Sequence, residues 1–533
     1  QSSLVCQTLS KISNDSLLKV DSILHINKDS IKIYYFGYPR ILNLSYNVGT
    51  EEIIYDSLNN DSIYLWRLHI KSPDSYGCFL LFDTFFIPDG GKLFAYNINR
   101  TYLIGAFTNR NNKQYNKFSL GPLPDEDIIL EYNSKTSVNQ LPYIHISNLI
   151  HCYKKIFDKN HVLDFGDAGS CNINVMCQHP NWCNQRRSVA LIAKLSGQHF
   201  SGWCTGALTT NERKDLKPYF LTARHCLDDN DNGSLSNSEK NQVQNWIYIF
   251  NYQSPTCSNP STNPQAVYTI SGAQFISSRF NSDFALLELS ARPPGNYNVY
   301  YSGWDNRDDK PQNGATIHHA SGDIKKISLY NQEAKKRTFL DVIPLTITWK
   351  VHWSNGVTEP GSSGSPLYNE DGRIVGQLWG GKSSCDKQNK ADYFGRFDRS
   401  WDAGNTSSKR LIDHLCPNCS PGSNINAMDG TEPCKTSYSF SNANDLHTSA
   451  NINGFTNPGS AGTRTYNGVY EATTSIVASN CTIQSGTSVT FNAPFVRLTN
   501  GFHAIAGTGS FFRITGQGCL RGCNTGVGRL MPY

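Results

Sequence analysis

Methionine is almost absent from this chain, three residues in 533, and charge is thin, with Asp, Glu, Lys and Arg making up 17%. No stretch of about eighteen apolar residues occurs, so the sequence offers no candidate membrane-spanning helix. No basic run exceeds a short pair or triplet. The net charge of +5 therefore gives no case for a nucleic-acid partner. No charged-then-apolar leader precedes Gln1, and cleavage of a signal peptide would leave such a start.

Cysteine is what the chain has in quantity. Sixteen cysteines, with abundant Asn, Ser, Thr, Gly and Tyr, fit an exported protein folded in an oxidising compartment, so the expected location is secreted. Cys416-Pro417-Asn418-Cys419 has the spacing of half a zinc site. No second C-x-x-C or close histidine pair accompanies it, so disulfides are expected and neither a metal nor a cofactor is.

The length predicts roughly three domains. Residues 1–165 read as an all-β sandwich: Ser62–Ile70 and Cys78–Phe82 are runs of strand formers, with a turn at Pro88-Asp89-Gly90-Gly91. Gly121-Pro122-Leu123-Pro124 then precedes the strand Ile128–Tyr132. This region holds no nucleophile–base set. From 166 to 416 strands continue in two lobes. Ala190–Ala193, Tyr219–Leu221 and Asp283–Leu289 fall in the first, Ile347–Trp353 and Ile374–Trp379 in the second. A closing helix is expected, capped by Ser407 or Ser408, with Leu411, Ile412 and Leu415 on one face. Residues 417–467 are rich in Asn, Ser, Gly, Pro and Thr and read as a linker. In 468–533, apolar residues from Ile483 to Phe511, Phe502 among them, alternate between turns at Ser485-Gly486, Asn500-Gly501 and Gly507, which suggests a small stacked-β module.

Three segments carry chemistry. Glu359-Pro360-Gly361-Ser362-Ser363-Gly364-Ser365-Pro366 is the tight turn a serine nucleophile needs. Gly361 lets a backbone N–H face an incoming carbonyl, and Gly364 frees the turn behind the serine. Leu221-Thr222-Ala223-Arg224-His225-Cys226 offers a histidine beside a cysteine. Asn281-Ser282-Asp283 offers an aspartate at the mouth of a strand. The order His, Asp, Ser is that of the chymotrypsin-type triad.

The stretch from Gly166 to Cys416 resembles the bacterial lysyl endopeptidases, secreted chymotrypsin-like serine peptidases. Matching residues include Cys171-Asn172-Ile173, Thr222–Cys226, Gly303-Trp304-Asp305, Ile317-His318-His319, the eleven residues Gly356–Pro366, Gly376-Gln377-Leu378 and Asp392–Arg396. The resemblance implies an all-β, two-barrel fold, a propeptide in 1–165, and a C-terminal β module like those of secreted Bacteroidetes proteins. It implies His225 as general base, Asp283 as its orienting partner and Ser363 as nucleophile, with Gly361 and Ser363 N–H groups as the oxyanion hole. It also implies the disulfides Cys171–Cys385, Cys177–Cys257 and Cys204–Cys226.

Trypsin's S1 aspartate lies six residues before the nucleophile, where this chain has Val357. The family's S1 aspartate instead matches Asp392, with Gly380 and Gly381 lining the pocket wall and Trp379 beside them. Asp386 and Glu359 are the next candidates. Trp379 stands where some relatives have a histidine in an aromatic stack, so that stack is not carried over, although Trp379 is expected to shield the catalytic imidazole. Ser362 stands where trypsin has the aspartate that pairs with a new N-terminus, so activation by that ion pair is not expected. Latency then falls to the N-terminal unit, as an intramolecular inhibitor removed near Gly166, after a first cut at Lys159.

Seven further cysteines follow in the enzyme and tail: Cys183, Cys416, Cys419, Cys434, Cys481, Cys519 and Cys523. Three precede: Cys6, Cys78 and Cys152. Both counts are odd, so either one bridge joins the two parts or each holds a free thiol. The reading is a secreted serine endopeptidase precursor acting on protein and peptide substrates after lysine. Arginine or dual specificity, and a catalytically silent secreted binding protein, are the alternatives.

Overall fold

The computed structural model describes residues 6–26, 33–46, 52–56, 61–136, 140–155 and 168–430 apart from 231, 262, 263, 265, 267, 340–346, 388 and 389, and beyond 430 only Thr499 and strand residues between 435 and 515. Outside them lie Lys159 and Gly166, Cys434, Cys481, Cys519 and Cys523, Phe502, Phe511, the tail turns, and most of the expected linker. The chain forms two compact units. One comprises residues to Tyr55, Ser62–Pro293 and Tyr300–Met428; the other comprises Asp56–Asp61, Pro294–Val299 and Asp429–Tyr533.

In the N-terminal part of the first unit, alternating apolar residues build two sheets. Strand Asp61–Lys71 pairs antiparallel with Asp127–Lys135, and Lys92–Asn97 extends that sheet. The second contains Tyr34–Ser45, Tyr143–Cys152, Cys78–Phe86 and Phe118–Leu123 in that order. Their facing side chains, among them Trp66, Ile70, Leu93 and Leu130 from one and Phe82, Phe118 and Leu149 from the other, share one core. Gly121 and Pro122 lie inside a fully buried strand and not in a turn. The helix Asn14–Ile26 is an addition to the all-β reading. Ser13 Oγ accepts the Ser16 N–H at its start, Leu17 is buried, and Asp21 pairs with Lys154 at 2.7 Å.

The peptidase-like part has two sheets wrapped as lobes. Val189–Lys194, Ser201–Leu208, Tyr219–Ala223, Phe284–Leu289 and Ala273–Arg279 follow one another in the first lobe. Lys326–Tyr330, Gly314–His318, Pro366–Tyr368, Ile374–Gly381, Ala391–Arg396 and Thr348–His352 do so in the second. Leu221, Phe284 and Leu286 of the first lobe meet Ile317, Ile327 and Tyr368 of the second in a shared core. Trp304, Phe397 and Trp401 stack beneath it. The closing helix is shorter than expected. A 3-10 turn covers Ser407–Lys409, Ile412–Leu415 follows, and no side chain caps the helix. Leu411 and Leu415 are nonetheless buried.

The N-terminal and peptidase-like parts each have a core of their own and share a third, in which Phe36, Phe79 and Ile150 pack with Leu191, Trp203 and Ile249. Tyr34–Ser45 pairs with Ser201–Leu208, so one sheet runs through both. In the second unit, Asn467–Ala478 lies parallel to Ser488–Asn492, which lies parallel to Phe512–Thr515. Thr482–Ile483 is likewise parallel to His503–Ala504. Each strand thus stacks on the one a coil later.

Candidate active site

The turn carrying Ser363 is held by hydrogen bonds from both lobes. Ser362 N–H donates to the Glu359 carbonyl and Ser365 N–H to that of Ser362, which closes the turn on itself. Gly361 and Gly364 have φ of +95° and +85°, where L side chains are strained. A Cβ on Gly364 would also meet the Thr205 carbonyl and the Thr222 hydroxyl. From the first lobe, Thr205 N–H donates to the Ser363 carbonyl at 2.8 Å, and Thr205 Oγ1 donates to the Gly361 carbonyl at 2.9 Å. Among the described residues, neither the Gly361 nor the Ser363 N–H donates to another group.

His225 closes the 3-10 turn Arg224–Cys226 at the end of strand Tyr219–Ala223. The Cys204–Cys226 disulfide ties its neighbour to the strand that carries Thr205. Asp283 caps the turn Phe280–Ser282 in the left-handed region, which aspartate tolerates better than most residues. Its carboxylate takes both the His225 N–H (2.9 Å) and Nδ1 (2.7 Å), so backbone and ring are fixed together. Burial is the larger influence on Asp283 and pushes its carboxyl above the usual range, against the pull of His225. With Nδ1 committed, Nε2 faces inward without a hydrogen-bond partner among the described residues. Ser363 is 6% exposed, and its side chain makes no hydrogen bond among the described residues.

Asp392 lies on strand Ala391–Arg396, opposite Val351 and Gly381. It is 1% exposed. Trp353 Nε1 (2.6 Å), Thr358 Oγ1 (2.7 Å) and Ser383 Oγ (2.6 Å) all donate to Oδ2, while Oδ1 takes only the Ser383 N–H at 3.2 Å. No cation pairs with it among the described residues. Burial pushes this carboxyl up, and the four donors pull it back part of the way. A Cβ on Gly381 would collide with the carboxylate, so glycine is what leaves it room.

Of the runners-up, Glu359 is committed elsewhere, its carboxylate accepting the Gly169 N–H and the Ser321 hydroxyl. Asp386 is exposed. Trp379 stacks on Phe339 at 4.4 Å, and Phe339 packs edge-on to Tyr393. Among the described ring contacts it makes none with His225, so the shielding role expected for it has no support.

The sequence reading missed the relay that holds Ser362. Glu359 N–H donates to Ser362 Oγ, and Ser362 Oγ lies 2.8 Å from His318 Nδ1. His318 Nε2 lies 3.1 Å from Ser328 Oγ, which donates to the Val357 carbonyl. Those donors fix the direction: Ser362 O–H to Nδ1, then Nε2–H to Ser328. Burial drives His318 down to about 3, so it stays neutral. The Ile317-His318-His319 motif was visible, but nothing in one dimension put it beside Ser362.

The disulfides Cys171–Cys385, Cys177–Cys257 and Cys416–Cys419 accompany Cys204–Cys226. Cys183 is also disulfide-bonded. Cys6, Cys78 and Cys152 are free thiols, the last two buried.

Two all-β lobes carry the three candidate residues, His225 and Asp283 on the first and Ser363 in a glycine turn of the second, the arrangement expected of a chymotrypsin-like peptidase. The lysyl endopeptidase C-terminal domain matches residues 165–395, so this segment is similar to that domain. A curated lysyl endopeptidase of Pseudomonas aeruginosa is 31% identical over 247 residues, 44% of this chain and 50% of that protein. The chain thus spans about half the length of the curated relative it matches. Among solved structures, the Rv3671c protease of M. tuberculosis in its active form is similar at 13% identity and a TM-score of 0.30, covering 49% of this chain and 92% of that one. Its inactive form has a TM-score of 0.26 and the same identity, covering 41% and 87%.

Thr205→Val keeps the shape of the side chain but leaves the Gly361 carbonyl and the His319 N–H without their partner. Denaturant unfolding should give a loss of about 1–3 kcal/mol. Labelling of Ser363 by a fluorophosphonate should slow with it. Unchanged stability and labelling would remove Thr205 from the support of this turn.

Proposed function

We propose that this protein is a secreted serine endopeptidase precursor that cleaves polypeptides on the carboxyl side of lysine. On this reading residues 1–165 are a propeptide acting as an intramolecular inhibitor, 166–416 the peptidase domain, 417–467 a linker and 468–533 a C-terminal β module. His225 Nε2, which has no hydrogen-bond partner among the described residues, takes the Ser363 proton as the hydroxyl attacks the scissile carbonyl. Asp283 holds the imidazole tautomer and stabilises the imidazolium. The Gly361 and Ser363 N–H groups receive the oxyanion, each such donor being worth about 3 kcal/mol in comparable sites. The imidazolium then returns its proton to the leaving amine, and water repeats the sequence on the acyl-enzyme.

The observation that carries the lysine reading is the buried, cation-free carboxylate of Asp392. An ammonium entering this slot sheds its water, and a fixed opposite charge offsets that cost. The donors also favour lysine over arginine. Three of them crowd Oδ2, so only Oδ1 is left for a substrate cation. A compact ammonium uses one oxygen well, whereas the guanidinium fork is strongest when both are open.

Three tests bear on this. Asp392→Asn should lower kcat/KM for lysyl substrates by several hundred-fold or more, the equivalent of about 3–5 kcal/mol, and spare uncharged P1 residues. Fluorophosphonate labelling should persist in that variant and vanish in Ser363→Ala. A lysyl-to-uncharged ratio that is unmoved by Asp392→Asn would remove Asp392 from the S1 role and leave the triad standing.

Acid should act in the same way. A carboxyl with a raised pKa takes up its proton at higher pH than an ordinary one. The ratio should therefore fall, as pH drops, with an apparent pKa above the usual aspartate value of about 3.9. A midpoint below that value would contradict the buried site.

Ser383→Ala removes one Oδ2 donor, and the arginyl-to-lysyl ratio of kcat/KM should rise. A fall in that ratio would refute the account of lysine preference.

A further inference from the structure

One edge of strand Ser201–Leu208 carries three neighbours in order. Ala207 and Leu208 pair with Leu221 and Phe220, on the strand that leads to His225. Thr205 N–H reaches the Ser363 carbonyl. Ser201, Gly202 and Trp203 pair with Gly37, Tyr35 and Tyr34 of the N-terminal part. The other edge is filled by Val189–Lys194. The N-terminal strand therefore shares the nucleophile's edge, and the antiparallel register turns its beginning toward Thr205.

Asp392 belongs to the second lobe, and none of its donors among the described residues lies on this edge. A substrate whose lysine reaches Asp392 continues past Ser363, on its leaving-group side, along Thr205 toward Ser201. Building on the function proposed above, we infer that the edge Ser201–Trp203 binds the leaving-group side of a polypeptide substrate as an added strand. The N-terminal unit inhibits by filling that edge with its own strand, and it leaves the lysine slot open.

The local packing is what such an occupant needs. Gly202 has no Cβ, and one built there would lie 3.1 Å from the Tyr34 carbonyl, so the two backbones approach closely. Phe36 stacks on Trp203 at 4.0 Å, both buried. Phe200 sits among the rings of Tyr35, Tyr38 and Tyr153. A second anchor lies further along the first lobe, where Ser271 Oγ accepts the Ser119 N–H and the Lys113 ammonium. The donors to Asp392, by contrast, all come from the peptidase segment among the described residues. An unpaired strand edge is a ready template for an extended chain, and the aromatic residues beside it select apolar side chains.

The test uses the intact chain, with initial rates taken while electrophoresis shows it uncut. One substrate is a short lysyl amide with a small chromogenic leaving group, and the other is a peptide extended by several residues beyond the lysine. The uncut chain should turn over the amide but process the extended peptide about tenfold or more less efficiently in kcat/KM. Tyr35→Ala with Tyr38→Ala removes two rings from Phe200. It should raise the rate on the extended peptide several-fold and leave the amide rate unchanged. Tyr153→Ala should act in the same direction. Equal handling of both substrates, or a block that lifts for both together in these variants, would overturn the inference while the peptidase reading stands. A chain that neither labels at Ser363 nor cuts either substrate would overturn both.

Discussion

The hydrogen bond from Thr205 N–H to the Ser363 carbonyl is the weld on which the site depends. It joins a strand of the first lobe to a turn of the second, and the same residue's hydroxyl holds the Gly361 carbonyl. Cys204, one residue earlier, is bonded to Cys226 beside His225. Two adjacent residues of one strand thus tie the turn that bears Ser363 to the segment that bears His225. Gly364 is the counterpart constraint, because any side chain there would push the strand and the turn apart.

Two aspartates of the site are buried, and burial pushes both carboxyls upward. Their neighbours make them different instruments. Asp283 accepts from an imidazole Nδ1 and a backbone N–H of the same residue, so both its oxygens are committed within the protein. Asp392 faces four neutral or weakly polar donors, which lower the cost of a carboxylate without cancelling its charge. On the proposed reading, this charge, solvated by dipoles yet unneutralised, is what a substrate cation meets. The same distinction separates Asp392 from Glu359, whose oxygens are spent on Gly169 and Ser321.

Much of this was legible in the sequence because the chemistry is local. Turn glycines on either side of Ser363, a histidine after an apolar strand and an aspartate before one each carry their own signal. Strand positions such as Asp61–Lys71 and Ile374–Gly381 followed from runs of strand formers. The parts that were missed depend on contacts between distant segments. The donors around Asp392 come from residues 353, 358 and 383, and the Ser362 relay runs through residues 318 and 328. No spacing rule links these. Helix Asn14–Ile26 is a different kind of miss, since Ser13 before an Asn-Asp start was a readable capping signal. The shared sheet across the N-terminal and peptidase-like parts was hidden for a further reason. A strand inside a protein and a strand added to an open edge have the same alternation, so sequence cannot say which partner it has.

The Ser362–His318–Ser328 relay bears on how such a protein is held latent. In trypsin the position of Ser362 carries a charge that waits for a new N-terminus. Here the turn is anchored by a neutral chain of hydrogen bonds that ends on the Val357 carbonyl, and His318, pushed down to about 3, does not gain charge near neutrality. The turn that bears Ser363 is accordingly complete while the N-terminal strand is still in the sheet. On the proposed reading, a turn that is already formed leaves access as the point of control. On the inference drawn above, the pairing of Tyr34–Ser45 with Ser201–Leu208 governs that access, because it fills a strand edge beside the Ser363 turn.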